Sequence, residues 1–372
     1  MPPPWWDETA TPYTPFPSTG WPTSWDVTAG SSRPVRLRDL GLAVGNLPAG
    51  PNNTITDVDG VSVGHARGAV GGITVVVPFA DAPRRYYAGR WSLDGGDDTT
   101  GLAMLEDFGA LSTPIALAPA PAVGRVYDGL LDYGFSQDPG LGEDEGWPPA
   151  VIAVDGVWAP AVSLHAALGV GQVAAALSTA SHGAVPEGQV GVGQSLSAFG
   201  VRAGIGSSSR ISDPGMVGVL VAANGGEPGH LTVDGIPVGR WLAGQAALPL
   251  SRRRAFAGVI VTDAPLLPGQ LQRLAQRAAF GLIRVGLVDE LTTTGTVIAV
   301  STTGLDDGLA GLTPGTVTAR ATPESALPAL YAAGADACEE AVLNCLVAAH
   351  KQISSDGVPG LPVDAFRAAA VR

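Results

Sequence analysis

The sequence predicts an α/β (α+β) fold built as stacked layers of sheet and helix. Three observations predict it. Short apolar, β-branched runs bounded by Gly or Pro recur along the chain, as buried strands should. These runs follow one another while the clearest helical periodicity falls late, which favours layered sheets and helices over a doubly wound parallel sheet. The composition supplies a large core, since the 372 residues are 45% hydrophobic and only 15% charged, the balance of a compact globular body.

Residues 1–36 are rich in Pro, Thr, Ser and Trp and show no periodicity. Such a Pro-rich segment forms neither a helix nor a central strand. It holds Trp5, Trp6, Trp21 and Trp25, half of the 8 tryptophans. Two readings stay open: a flexible tail, or an arm that docks its indoles on the body or on a neighbouring subunit. Residues 37–372 read as one domain.

Within that domain the first strand is Ile73-Thr74-Val75-Val76-Val77-Pro78. Pro114-Ile115-Ala116-Leu117, Val151-Ile152-Ala153-Val154 and Met216-Val217-Gly218-Val219-Leu220-Val221 are further strands, and residues 258–261 and 296–300 continue the series. Residues 140–146 form an acidic loop. Pro268 opens a helix as an N1 proline, with Leu271, Leu274, Ala275 and Ala278 on one face and Gly281 near its end. Residues 323–350 hold one long helix or two shorter ones. Cys338 and Cys345 lie there seven residues apart, about 10.5 Å along a helix axis and too far for a disulfide.

The formal net charge of −13 and the lack of a basic stripe argue against nucleic acid and anionic membranes as partners. No apolar run approaches the roughly 20 residues of a membrane helix. The start of the chain has no basic, then apolar, signal-peptide pattern. With its two unpaired cysteines, the chain fits a reducing cytoplasm. His65, His165, His182, His230 and His350 show no metal spacing, and no Gly-rich segment follows a strand and opens a helix in the manner of a nucleotide site. Neither a metal nor another cofactor is expected.

Five blocks carry a family resemblance. Asn53-Thr54-Ile55-Thr56-Asp57-Val58-Asp59-Gly60-Val61-Ser62-Val63-Gly64-His65 is the first, and Leu93-Asp94-Gly95-Gly96-Asp97-Asp98-Thr99-Thr100-Gly101 the second. Gly188-Gln189-Val190-Gly191-Val192-Gly193 with Gly204-Ile205-Gly206-Ser207-Ser208-Ser209-Arg210 forms the third. Val217 to Gly225 and Thr262-Asp263-Ala264-Pro265-Leu266-Leu267-Pro268 complete the series. In this order they resemble the P1 peptidases, the family of L-aminopeptidase/D-esterase-amidases, β-aminopeptidases and nylon-oligomer hydrolases. The resemblance spans roughly residues 50–350 and implies an αββα four-layer sandwich of the N-terminal-nucleophile type, commonly tetrameric.

In active relatives a Ser or Thr attacks the carbonyl before it, an N-to-O acyl shift splits the chain, and the freed residue becomes nucleophile and base. That residue stands seven before the Thr of the Thr-Asp-Ala-Pro-Leu block. Here the position is Ala255, preceded by Arg254. Alanine has no oxygen at Cβ, so neither step can occur there. The nearest upstream hydroxyl, Ser251, would need a four-residue shift that breaks the match of the strand.

Other family positions have lost polar chemistry too. Ala118-Pro119-Ala120-Pro121-Ala122 stands where relatives have a Thr-Asn-Thr-His-Ser segment, and Pro121 is among the implied ligand-binding positions. The Glu that receives a substrate amine falls on Ile152 or Val154, beside Asp155. The carboxylates that orient the nucleophile are replaced at Thr294 and Thr296. Asn224 matches the oxyanion-hole asparagine and reads equally as an Asn in the turn before Gly225-Gly226. Arg202 matches a Lys near the cleft and reads otherwise as a surface charge.

Together these residues predict a divergent member that binds a small amide, peptide or specialised metabolite in the ancestral cleft, without self-cleavage or an acyl-enzyme at residue 255. A non-catalytic binding or partner subunit is the alternative. An aminopeptidase or amidase with a displaced nucleophile such as Ser251 is the second.

Overall fold

The computed structural model describes residues 35–79, 85–93, 98–142, 147–154, 159–194, 196–242, 254–288, 293–305, 319–349 and 360. The chain divides into two units, Met1–Arg33 and Pro34–Arg372. The Pro- and Trp-rich arm up to residue 34, residues 143–146 of the acidic loop, Asp155 and Ser251 lie outside the described residues.

The strands of the second unit are β1 Ser62–Arg67, β2 Gly72–Val77, β3 Tyr86–Ser92, β4 Ala110–Leu111, β5 Ile115–Pro119, β6 Ala150–Val154, β7 Ser197–Ala198, β8 Val201–Arg202, β9 Ile205–Ile211, β10 Met216–Ala223, β11 Arg254–Thr262 and β12 Thr293–Ser301. Its helices are α1 Leu102–Phe108, α2 Val123–Gln137, α3 Ala161–Ala167, α4 Val170–Ser178, α5 Gly239–Leu242, α6 Pro268–Arg284 and α7 Leu327–Ala348. All six strands expected from the apolar runs form. Both late helices form as well, and residues 327–348 are one helix behind a short 3-10 turn, Glu324–Ala326.

Two sheets form the centre. One has the order β1-β2-β5-β6, the other β4-β3-β12-β11-β10-β9. Side chains alternate across each strand, so every buried strand serves two cores. Ile115, Leu117, Ile152 and Val154 of the small sheet meet Leu220, Ala257, Val259, Val261, Ile298 and Val300 of the large one in the inner core. The intervening residues Ala116, Ala118, Val151 and Ala153 face outward and pack with Val126 and Leu130 of α2, Leu164 of α3 and Val173 of α4. On the far side, α7 packs on β9 and β10, and α6 on β3 and β12. The result is an αββα sandwich.

The sequence reading missed α2, α3 and α4. Gly124, Gly129 and Gly134 lower the helix propensity of α2, and packing overrides it: Val126 and Leu130 are fully buried. Cys338 and Cys345 both lie in α7, buried and unpaired. No single described helix is long and apolar enough to cross a membrane.

The seam between α7 and the large sheet is tight at Gly206. A Cβ there would stand 1.9 Å from the carbonyl oxygen of Ala341 and 2.8 Å from the amide of Cys345. Gly206→Ala must push the helix off the sheet. We expect it to cost about 1–3 kcal/mol or more, the range for overpacking a filled core, read as a lower urea midpoint at an unchanged m-value.

Candidate functional site

Three adjacent strands of the large sheet bring the motif residues together. β11 runs parallel to β12 with Ala255 opposite Thr294 and Ala257 opposite Thr296. β10 runs antiparallel to β11 with Ala223 opposite Phe256. Asn224 directly follows Ala223, the last residue of that register. Residues 255 and 294, far apart in sequence, are thus neighbours at one end of the sheet, and Asn224 follows the strand beside them.

Asn224 is 2% exposed. It leads into Gly225 and Gly226, whose φ angles of 118° and 80° lie in the left-handed region open chiefly to glycine. The asparagine leaves β10 and leads directly into the isolated bridge between Gly225 and Ala198. A hairpin clamps the turn from the other side. Phe199 N–H donates to the Gly225 carbonyl at 2.8 Å, and Gly225 N–H donates to the Ser197 carbonyl at 3.0 Å. Phe199 and Gly200 both have positive φ, 53° and 73°, the pattern of a type I′ hairpin turn. Phe199 is fully buried in this costly conformation for a bulky side chain. Arg202 ends the hairpin, paired with Ser197, and is buried rather than a surface charge.

Thr296 is 1% exposed. Its hydroxyl shares a 3.0 Å hydrogen bond with Ser92 of β3. Ser92 in turn accepts from Arg90 Nη1 at 2.9 Å, and Arg90 pairs with Glu106 of α1. This polar row links Thr296 through Ser92 and Arg90 to the carboxylate of Glu106. Arg90, Ser92 and Glu106 also line a cavity of about 570 Å³, together with Phe108, Pro268 and Gln272. Sequence reasoning missed Arg90 and Ser92. Their signal was slight: polar residues two apart in a strand, immediately before the block that opens at Leu93.

The remaining candidates are dispersed. Val154 ends β6, fully buried in the inner core with Ala257. Pro119, opposite Val154 in the parallel β5–β6 pair, is buried, whereas Pro121 is exposed on the turn into α2. The Pro121 carbonyl accepts from His165 Nδ1 at 3.0 Å. Ala118 and Ala122 belong to the outer core under the helices. Most of the Ala-Pro segment thus faces away from the space between the sheets. His65 shares a 3.0 Å hydrogen bond with Thr74 through Nδ1, and burial pushes its pKa down to about 4, a structural imidazole kept neutral.

Residues 53–358 match Peptidase family S58. Beta-peptidyl aminopeptidase BapA of Sphingosinicella microcystinivorans is 33% identical over 86% of this chain and 87% of its own. The solved Burkholderia sp. beta-aminopeptidase superposes with a TM-score of 0.80 at 34% identity, covering 91% of this chain and 100% of that one. The L-aminopeptidase D-Ala-esterase/amidase of Ochrobactrum anthropi, described as a variant of the Ntn hydrolase fold, superposes with a TM-score of 0.81 at 28% identity over 90% of this chain and 98% of its own. These are the kinds of protein to which the five sequence blocks pointed, and the inner and outer layers follow the sandwich those blocks implied. The chain belongs to peptidase family S58.

Proposed function

We propose that this chain is a divergent S58 member that binds a small amide, peptide or specialised metabolite in the family cleft, and does so without self-cleavage and without an acyl-enzyme at residue 255. One observation carries the reading: the strand position paired with Thr294, beside the end of the strand that leads into Asn224, is an alanine. A covalent route needs an oxygen or sulfur on that Cβ. The neighbouring row supports the same conclusion, because the hydroxyl of Thr296 is engaged by Ser92 and adds no negative charge. Asn224 keeps an amide at the position where a ligand carbonyl would be polarised. Any turnover then runs by direct attack of water on the bound carbonyl.

The substrate class follows from the relatives, which are named for β-peptidyl and L-aminopeptidase activity. Their chemistry suggests short peptides and aminoacyl amides as first probes. A homo-oligomer, implied by the family resemblance, and a cytoplasmic location, supported by the paucity of cysteine, are part of the same reading.

The test combines binding and trapping. Calorimetry with β-alanyl amides and aminoacyl amides should show saturable binding that Asn224→Ala weakens by about tenfold, the scale of one well-placed hydrogen bond. Mass spectrometry of protein quenched during incubation should show no added acyl group. A covalent adduct anywhere on the chain, Ser251 included, would overturn the non-covalent reading. Binding with no turnover at all would identify the chain as a binding or partner subunit.

A further inference from the structure

We propose that Arg202 is the receptor for a carboxylate on the ligand, so that this chain selects short peptide or amide acids over their neutral counterparts. The proposal rests on the ligand-binding reading of the cleft and adds to it a charge requirement.

The observation is a buried cation that has no counter-charge among the described residues. Arg202 is 9% exposed. Its Nε is enclosed and makes no hydrogen bond, and among the described residues no carboxylate lies within ion-pair distance of its guanidinium. The other well-buried arginines behave differently. Arg36 meets Glu187 at 2.7 Å, and Arg210 meets Glu340 at 2.6 Å. The Nε atoms of Arg36 and Arg210 also make no hydrogen bond, but the Nη groups of Arg36 reach Glu187 and backbone carbonyls, and those of Arg210 reach Glu340, Ser208 and three backbone carbonyls. An unpaired buried charge is expensive, and an unsatisfied buried polar group calls for an explanation such as a missing ligand.

The position supplies that explanation. Arg202 pairs with Ser197, and the Ser197 carbonyl accepts from Gly225, next to Asn224. Hairpin and turn are therefore one rigid piece. At about 4.8 Å per strand step, Arg202 stands about 10 Å across from the turn, within the span of an extended dipeptide. A carbonyl held at Asn224 would leave a terminal carboxylate a few bonds away to meet the guanidinium. The planar fork of arginine matches a carboxylate in two parallel hydrogen bonds.

The experiment compares β-alanyl-β-alanine with its C-terminal amide, and adds succinate as a carboxylate that is not a peptide. Binding is measured to the full chain, to Arg202→Gln and to Arg202→Lys. The acid should bind the unaltered protein at least tenfold tighter than the amide. Arg202→Gln should erase that preference, and Arg202→Lys should keep part of it. Without ligand, Arg202→Gln should melt at or above the parent temperature, because it removes an uncompensated charge. A lower melting temperature would mean that Arg202 has a structural partner and would overturn the proposal. Equal binding of acid and amide by the unaltered protein would overturn it too, while leaving the cleft reading intact. Succinate binding that depends on Arg202, with neither peptide bound, would retain the carboxylate receptor and remove the peptide cleft. Failure of all three probes would remove both.

Discussion

Purified protein should run as a single chain of 37.5 kDa under denaturing electrophoresis and give the same intact mass. Active relatives of this kind split ahead of the nucleophile, so the corresponding break here would fall between Arg254 and Ala255. The step requires the side chain of the second residue to attack the carbonyl of the first, and a methyl group cannot do so. Losing a nucleophile removes the covalent route, which in well-studied hydrolases costs on the order of 10⁶ in kcat. Ala255→Ser makes the sharper test. It returns the attacking oxygen beside Thr294 but leaves Thr at 294 and 296, where the resemblance implies carboxylates. With no added charge to accept or steer the proton, we expect this variant to remain intact through prolonged incubation. Fragments dividing near residues 250–255 in the unaltered protein would show that Ser251 or another group has taken over. Rapid cleavage of Ala255→Ser would show that the threonines are functionally neutral and that the divergence rests on one atom.

The strands around this position were legible because their chemistry is local. Residues 258–261 and 296–300 are unbroken apolar runs, and buried strands need little else to be recognised. Ala255 drew attention for another reason, its fixed offset of seven residues before Thr262, and Asn224 because it lies inside a quoted block. What escaped the sequence depends on partners far along the chain. β9 reads as the polar run Ser207-Ser208-Ser209-Arg210, and all four residues are fully buried. Asn53, Asp57 and Glu340 satisfy their side chains from more than a hundred residues away. Ser92 is similar, since its partner Thr296 stands 204 residues on. Arg202 illustrates the limit most directly. The resemblance matched it to a family lysine, but its burial without a counter-charge among the described residues is a property of the assembled fold.

Removing Glu340 should destabilise the protein by about 3–5 kcal/mol, the cost of stranding its buried partner Arg210, whereas removing Arg210 should cost less because Glu340 keeps Arg38. Both side chains are fully buried in the seam between α7 and β9. Glu340 accepts from Arg210 at 2.6 Å and from Arg38 through two bonds of 2.7 and 2.8 Å, and also from Asn53. Burial alone would push its pKa up. The hydrogen bond from Arg38 and the charges of Arg210 and Arg38 outweigh that and hold it below the ordinary value. A carboxylate depressed in the folded state contributes stability that is present above its unfolded pKa and lost as pH falls through the folded one. Glu340→Gln should accordingly flatten the acid limb of the stability curve as well as lower it. The double variant Glu340→Leu/Arg210→Met discriminates between pair and charge. If desolvation nearly cancels attraction, it should be less destabilised than the removal of Glu340 alone, because no fully buried charge is left unpaired and Arg38, 38% exposed, keeps its access to water. Additive losses would instead mean that the two side chains are uncoupled and that each acts through its other contacts. Arg38 and Asn53 tie residues 35–57 to α7 through this same carboxylate, so the singles should also loosen that segment. Hydrogen exchange would detect this as lost protection at Leu37, whose amide donates to Asn344 one turn along the helix.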